Sequence, residues 1–203
     1  MIKRPSNWNE VKEATDRQKL PLGAYVCRVI KAVVQQTDFG EQLCIFFDIA
    51  EGDFKGYFDN EYKNNIMTNR KWKGVLRQWL PKDDGSDKDE WTKSSLKSMT
   101  AAFEKSNAGY QWNWEESTLV GKMIGIVFRN EEWEYGNKTG WTVKPYKAID
   151  VNAVRAGTFT LPKDKPLKES ADVGYSSPAN DYSNSSLQNQ SFSTFDNDND
   201  LPF

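Results

Sequence analysis

Histidine is missing from this chain altogether, and with it goes every acid–base relay or metal site built on imidazole. Only two cysteines occur, Cys27 and Cys44, both inside runs that read as buried strands. They make neither a disulfide framework nor a zinc spacing, which suits a reducing compartment. There is no Gly-x-x-x-x-Gly-Lys-Ser/Thr phosphate loop and no Gly-x-Ser-x-Gly elbow, so the common ATPase and hydrolase readings fall away. No apolar stretch reaches the ~18 residues of a membrane span. The opening MIKRPSNWNE lacks the apolar centre of a secretory signal. These absences predict a cytoplasmic protein that is not an enzyme and carries no metal or cofactor.

One further absence is local. Residues 169–203 contain no Lys or Arg against 6 acids, a net of −6, whereas residues 1–168 hold all 27 basic residues against 23 acids, a net of +4. A mildly basic body with an acidic arm is the organisation such a split suggests. At 203 residues the chain has room for one sizeable domain and a tail, or for two small domains.

Along the body, residues 1–20 are charged and read as an arm or short helix. PLGAYVCRVIKAVVQQT then carries a strand signal through Val34. After a turn at Gly40, Leu43, Ile45, Phe47 and Ile49 alternate with Cys44, Phe46 and Asp48, so each set takes one face of a second strand. A third strand is expected from about Phe54 to Tyr62. Trp72, Val75, Leu76 and Trp79 fall at helical spacing, and a second helix is expected over roughly Glu90–Ser106, with Leu96, Met99, Ala102 and Phe103 on its buried stripe. Extended structure returns in Leu119–Phe128 and Asn130–Tyr135. It turns at Gly136-Asn137 and comes back through Thr139–Ile149, where Pro145 marks an edge or a bulge.

The pattern is mainly β: about five strands, a helical insertion at about 70–115 and a closing hairpin. A Greek-key barrel of the OB type over residues 21–154 fits it better than a sandwich. Residues 155–195 read as a disordered linker, with too little apolar surface to offset chain entropy. Residues 196–203 form an acidic tip.

Aromatic density beside positive charge is the feature that points to chemistry. Single strands are held by cations along the phosphates and by rings on which bases stack. Aromatics make up 13% of the chain, with 8 Trp, and many adjoin Lys or Arg. The candidate nucleic-acid residues are Phe46, Lys55 and Tyr57 near the second and third strands, and Lys71, Lys73 and Arg77 in RKWKGVLRQW. The closing hairpin adds Trp133, Tyr135, Lys138, Trp141, Lys144, Tyr146 and Lys147. Trp72 and Trp79 read as core. Trp112 and Trp114 lie beside acids and are left off the surface.

The chain ends in DNDNDLPF. Asp196, Asp198 and Asp200 lead into Leu201, Pro202 and Phe203, whose free carboxylate closes the chain. Pro202 restricts the backbone, so an apolar hook is partly arranged before it meets a pocket. This ending resembles the acidic tails of bacterial single-stranded DNA-binding proteins, which finish in an Asp-rich Ile/Leu-Pro-Phe peptide. The body, through LPLGAYVCRVIKA, FFDIAEGDFKGYF and LVGKMIGIVFRNEEWEYGNKTGWTV, also resembles a family of phage-encoded proteins of that kind. The helical insertion departs from the housekeeping bacterial form, so tetramer contacts are not carried over, although a homo-oligomer is compatible with the pattern. The resemblance implies binding of single-stranded DNA during phage or mobile-element replication and recombination in a bacterial cell. It also implies recruitment of replication or recombination proteins by the tip. The rival reading is an adaptor that docks such proteins without touching DNA. A carboxylate-only metal nuclease using Asp48, Asp53 and Asp59 is a third.

Overall fold

A computed structural model describes residues 2–6, 8–9 and 18–167. Among these residues five strands form one antiparallel sheet in the order β3-β2-β1-β4-β5: β1 Ala24–Thr37, β2 Gly40–Ile49, β3 Val75–Trp79, β4 Met123–Tyr135 and β5 Lys138–Ile149. Helix α1 (Tyr57–Lys63) stands between β2 and β3, α2 (Asp87–Ser106) between β3 and β4, and α3 (Val151–Arg155) follows β5. The expectation for 1–20 falls half outside the described residues, and those for 168–203, including the tip, wholly outside.

β1 is the shared strand. Ala24–Arg28 pairs with β4 while Cys27–Thr37 pairs with β2, and a register shift between Val29 and Lys31 marks a bulge that bends it. Opposed residues of an antiparallel ladder share a face. Leu43, Ile45, Phe47 and Ile49 therefore lie inward with Val29, Ala32 and Leu76, as the alternation requires. Phe47, Phe58 and Phe128 pack as a ring cluster at this centre.

α2 begins where Ser86 accepts the Asp89 N–H at 3.2 Å, with Asp87, Asp89 and Glu90 complementing the positive helix end. Its buried stripe is Thr92, Leu96, Met99, Ala102 and Phe103. At its far end the Asn107 amide donates to the Met123 carbonyl and accepts its N–H, tying the helix to the start of β4. The two edge strands, β3 and β5, approach one another, and α2 lies across the gap between them. Ser95 donates to Gln78 of β3 at 2.9 Å, and Ser106 accepts the Val151 N–H at the start of α3.

Two expected elements are corrected. The third strand proposed for Phe54–Tyr62 is helix α1, because the Asp48 carboxylate on β2 accepts the Phe58 and Asp59 N–H groups at 3.0 and 3.2 Å and caps the turn. The helix proposed around Trp72–Trp79 is β3, which satisfies the open edge of β2 from Gln42 to Phe46. The insertion at 70–115 thus contains a strand and one helix. Likewise Glu116–Leu119 is a 3₁₀ turn, so β4 starts four residues later than Leu119, at Met123. Pro145 sits on an edge strand and beside a bulge at Tyr146, since Phe128 opposes Pro145 while Val127 opposes Lys147.

Candidate nucleic-acid interface

β4 and β5 outrun the rest of the sheet. β1 accompanies β4 only as far as Val127, and beyond that point Phe128–Tyr135 and Lys138–Pro145 continue as a two-stranded arm. Its loop places Gly136 first, at φ 59°, the left-handed position that two-residue hairpin loops reserve for glycine.

Register assigns the arm's faces. Arg129 opposes Lys144, Glu131 opposes Thr142, Trp133 opposes Gly140 and Tyr135 opposes Lys138, all on one face. On the other lie Trp141 opposite Glu132 and Val143 opposite Asn130. The Trp133 ring lies over Gly140, where an added Cβ would come within 2.8 Å of it. Exposure rises outward, from 39% at Trp133 to 83% at Tyr135. Arg129 holds its guanidinium 4.4 Å from the centre of the Tyr146 ring.

Glu131 is the electrostatic hub of this face. Arg129 donates to it, and Lys144 and Lys165 approach it at 3.5 and 3.9 Å. Burial opposes its charge, but the Arg129 hydrogen bond and the Lys165 and Lys144 charges outweigh burial and hold its carboxyl below the usual glutamate range. One anion set among three cations leaves the patch positive, beside open rings.

Lys165 belongs to a segment expected to be linker. After α3 the chain returns to the free edge of β4 and pairs in parallel with Glu131. Lys165 N–H donates to the Asn130 carbonyl, Glu132 N–H donates to the Lys165 carbonyl, and Leu167 N–H donates to the Glu132 carboxylate, at 2.9, 2.9 and 3.0 Å.

Of the sequence candidates, Trp133, Tyr135, Lys138, Lys144 and Tyr146 come together on this face. Trp141 is half-exposed on the opposite one, and Lys147 stands past the bulge. Phe46 and Arg77 share with Lys31 and Trp79 the face of β2 and β3 opposite to Leu43, Ile45 and Phe47. Phe46 is corrected, however: it is only 5% exposed, with the Lys31 ammonium over its ring. Tyr57 is corrected too. It opens α1 and packs edge-on against Phe54 and Phe58, and burial followed by the Glu61 charge pushes its phenol up. Lys55 is exposed in the turn before α1.

Lys71, Lys73 and Arg77 are exposed, while Trp72 is buried with its indole N–H on the Phe47 and Gly74 carbonyls. Lys73 also reaches Glu61 at 3.4 Å. Trp114 is exposed and packs edge-on against Trp112 on the loop after α2. Of the nuclease acids, Asp48 caps α1 and Asp59 pairs with Lys63 at 2.7 Å. Asp196, Asp198, Asp200, Leu201, Pro202 and Phe203 lie outside the described residues.

Sequence reasoning missed Arg129, Glu131 and Lys165. The first two continue the alternation of Trp133 and Tyr135 and were findable by it. Lys165 had no local signal. Compared with known proteins, the chain matches no protein-family model and no curated protein. Among the described residues, no helix is long and apolar enough to cross a membrane.

Proposed function

We propose that this chain is a non-catalytic single-stranded DNA-binding protein with an OB-type barrel. The observation that carries the reading is the arm face: Trp133, Tyr135 and Tyr146 exposed among Arg129, Lys138 and Lys144, on a two-stranded projection. Rings in that setting offer stacking platforms, and the cations offer phosphate contacts, largely without sequence preference. The OB reading is supported by the strand order, by α2 between β3 and β4, and by the approach of β3 to β5. Arg77, Lys71 and Lys73 extend the basic surface along β3. The acidic Leu-Pro-Phe tip recruits replication or recombination proteins, in keeping with phage or mobile-element DNA metabolism.

Titrating the full chain with oligo-dT tests the first part. Stacking quenches Trp emission, and affinity falls by about 0.7 log unit per log unit of salt for each phosphate contacted. Absence of both effects overturns DNA binding and leaves the adaptor, whereas metal-dependent loss of the oligonucleotide identifies a nuclease. For the tip, Phe203→Ala retains DNA binding and loses capture of partner proteins from bacterial extract. Undiminished capture removes the docking role.

A further inference from the structure

We propose that residues 165–167 form a third strand of the DNA-binding face and that Lys165 contacts a phosphate there. The inference rests on the single-strand reading of the arm and adds to it a segment that lies beyond the barrel in sequence.

β4 beyond Val127 has an open edge on the side that β1 has left. Unpaired strand edges take up another strand readily, and here the chain supplies its own. Three hydrogen bonds pin the segment: Lys165 N–H to Asn130, Lys165 carbonyl to Glu132 N–H, and Leu167 N–H to the Glu132 carboxylate. Pro166, which has no N–H, falls between the two residues whose N–H groups are used, so the sequence loses no bond there.

Pairing with Glu131 puts Lys165 in one row with Glu131 and Thr142, next to the row of Arg129 and Lys144. The face is therefore three strands wide at this level. Its cations stand at both margins of Glu131, where a phosphate bridging Lys165 and Lys144 replaces the carboxylate as their partner. The Lys165 side chain is 61% exposed and its 3.9 Å approach to Glu131 is the longest of the three ion pairs. Of the three cations it is the most open to solvent and the least tightly held.

The oligo-dT salt titration, repeated on the full chain with Lys165→Ala, Lys165→Arg and Lys165→Pro, tests this. Lys165→Ala keeps the backbone bonds and loses one phosphate contact. Its salt slope falls by about 0.7, with affinity several-fold weaker at low salt. Lys165→Arg restores the slope. Lys165→Pro also removes the N–H that holds Asn130, and binding weakens further than in Lys165→Ala. A wild-type slope in Lys165→Ala overturns the contact, and equal binding by the Ala and Pro variants overturns the strand's part in the face. A wild-type chain that ignores oligo-dT takes down the single-strand reading itself and this inference with it.

Discussion

β4 and β5 run one continuous ladder through two different surroundings. Over Ile124–Phe128 the side chains of β4 are buried, with Ile124, Ile126, Val127 and Phe128 at 0% exposure. From Arg129 to Tyr135 the same pairing continues with no side chain of β4 fully buried. Inside the core each large apolar side chain contributes about 1.5–3 kcal/mol through burial. On the arm a cross-strand pair contributes only about 0.2–1 kcal/mol. Backbone pairing therefore carries the arm outward, and its rings add little to stability. Their exposure is what the proposed stacking role requires.

A matched pair of truncations tests that contrast with the largest expected effects. Phe128→Ala opens a cavity among Tyr25, Phe47 and Phe58 and lowers the unfolding free energy by about 3–5 kcal/mol in urea titrations. Tyr135→Ala stays within about 0.5 kcal/mol of wild type. On oligo-dT the order inverts: loss of the Tyr135 ring weakens binding by about 1–3 kcal/mol, and Phe128→Ala, assayed at a temperature where it remains folded, binds as wild type does. A Tyr135 variant that is destabilised as strongly as the Phe128 variant, or one that binds unchanged, erases the distinction between body and arm.

The same contrast explains what could be read from the chain alone. β1, β2, α2 and the hairpin were legible because their signals are local: strict alternation in Leu43–Ile49, the Leu96–Phe103 stripe, and Gly136-Asn137 between two extended runs. α1 was not, because its cap is the Asp48 carboxylate on another strand. β3 misleads because Trp72, Val75, Leu76 and Trp79 satisfy helical spacing, while Val75 and Leu76 are buried in pairing with β2 and Trp72 is buried with its indole N–H on the Phe47 and Gly74 carbonyls. The two differences offset each other: the described residues form five strands, with the third at Val75–Trp79 and not at Phe54–Tyr62. Five of the seven hairpin candidates share a face for the same local reason, since alternate residues along a strand must. Lys165 escaped because a short Lys/Pro run gives no sign that it will join a sheet edge. Phe46 escaped because β2 is a central strand covered on both faces, which alternation alone does not reveal.

Two carboxylates carry the body–arm contrast into pH dependence. Burial pushes Asp48 up, against three backbone N–H groups that favour its charge. Its contribution to stability is thus present at low pH and lost as pH rises through the folded value. Glu131 on the arm is held below its ordinary range, so its contribution has the opposite sign. That contribution is present above the unfolded value of about 4.3 and disappears as pH falls through the lower folded value. The expected effect is small, a few tenths of a kcal/mol near neutrality for a partly exposed network. Urea midpoints of wild type and Glu131→Gln, compared from neutral to acid pH, read it: wild type is the more stable above about pH 5, and the gap closes on acidification. A gap that stays constant or widens as pH falls means that Glu131 does not draw its stability from Arg129, Lys144 and Lys165, and the arm's charged row is then held by backbone pairing alone.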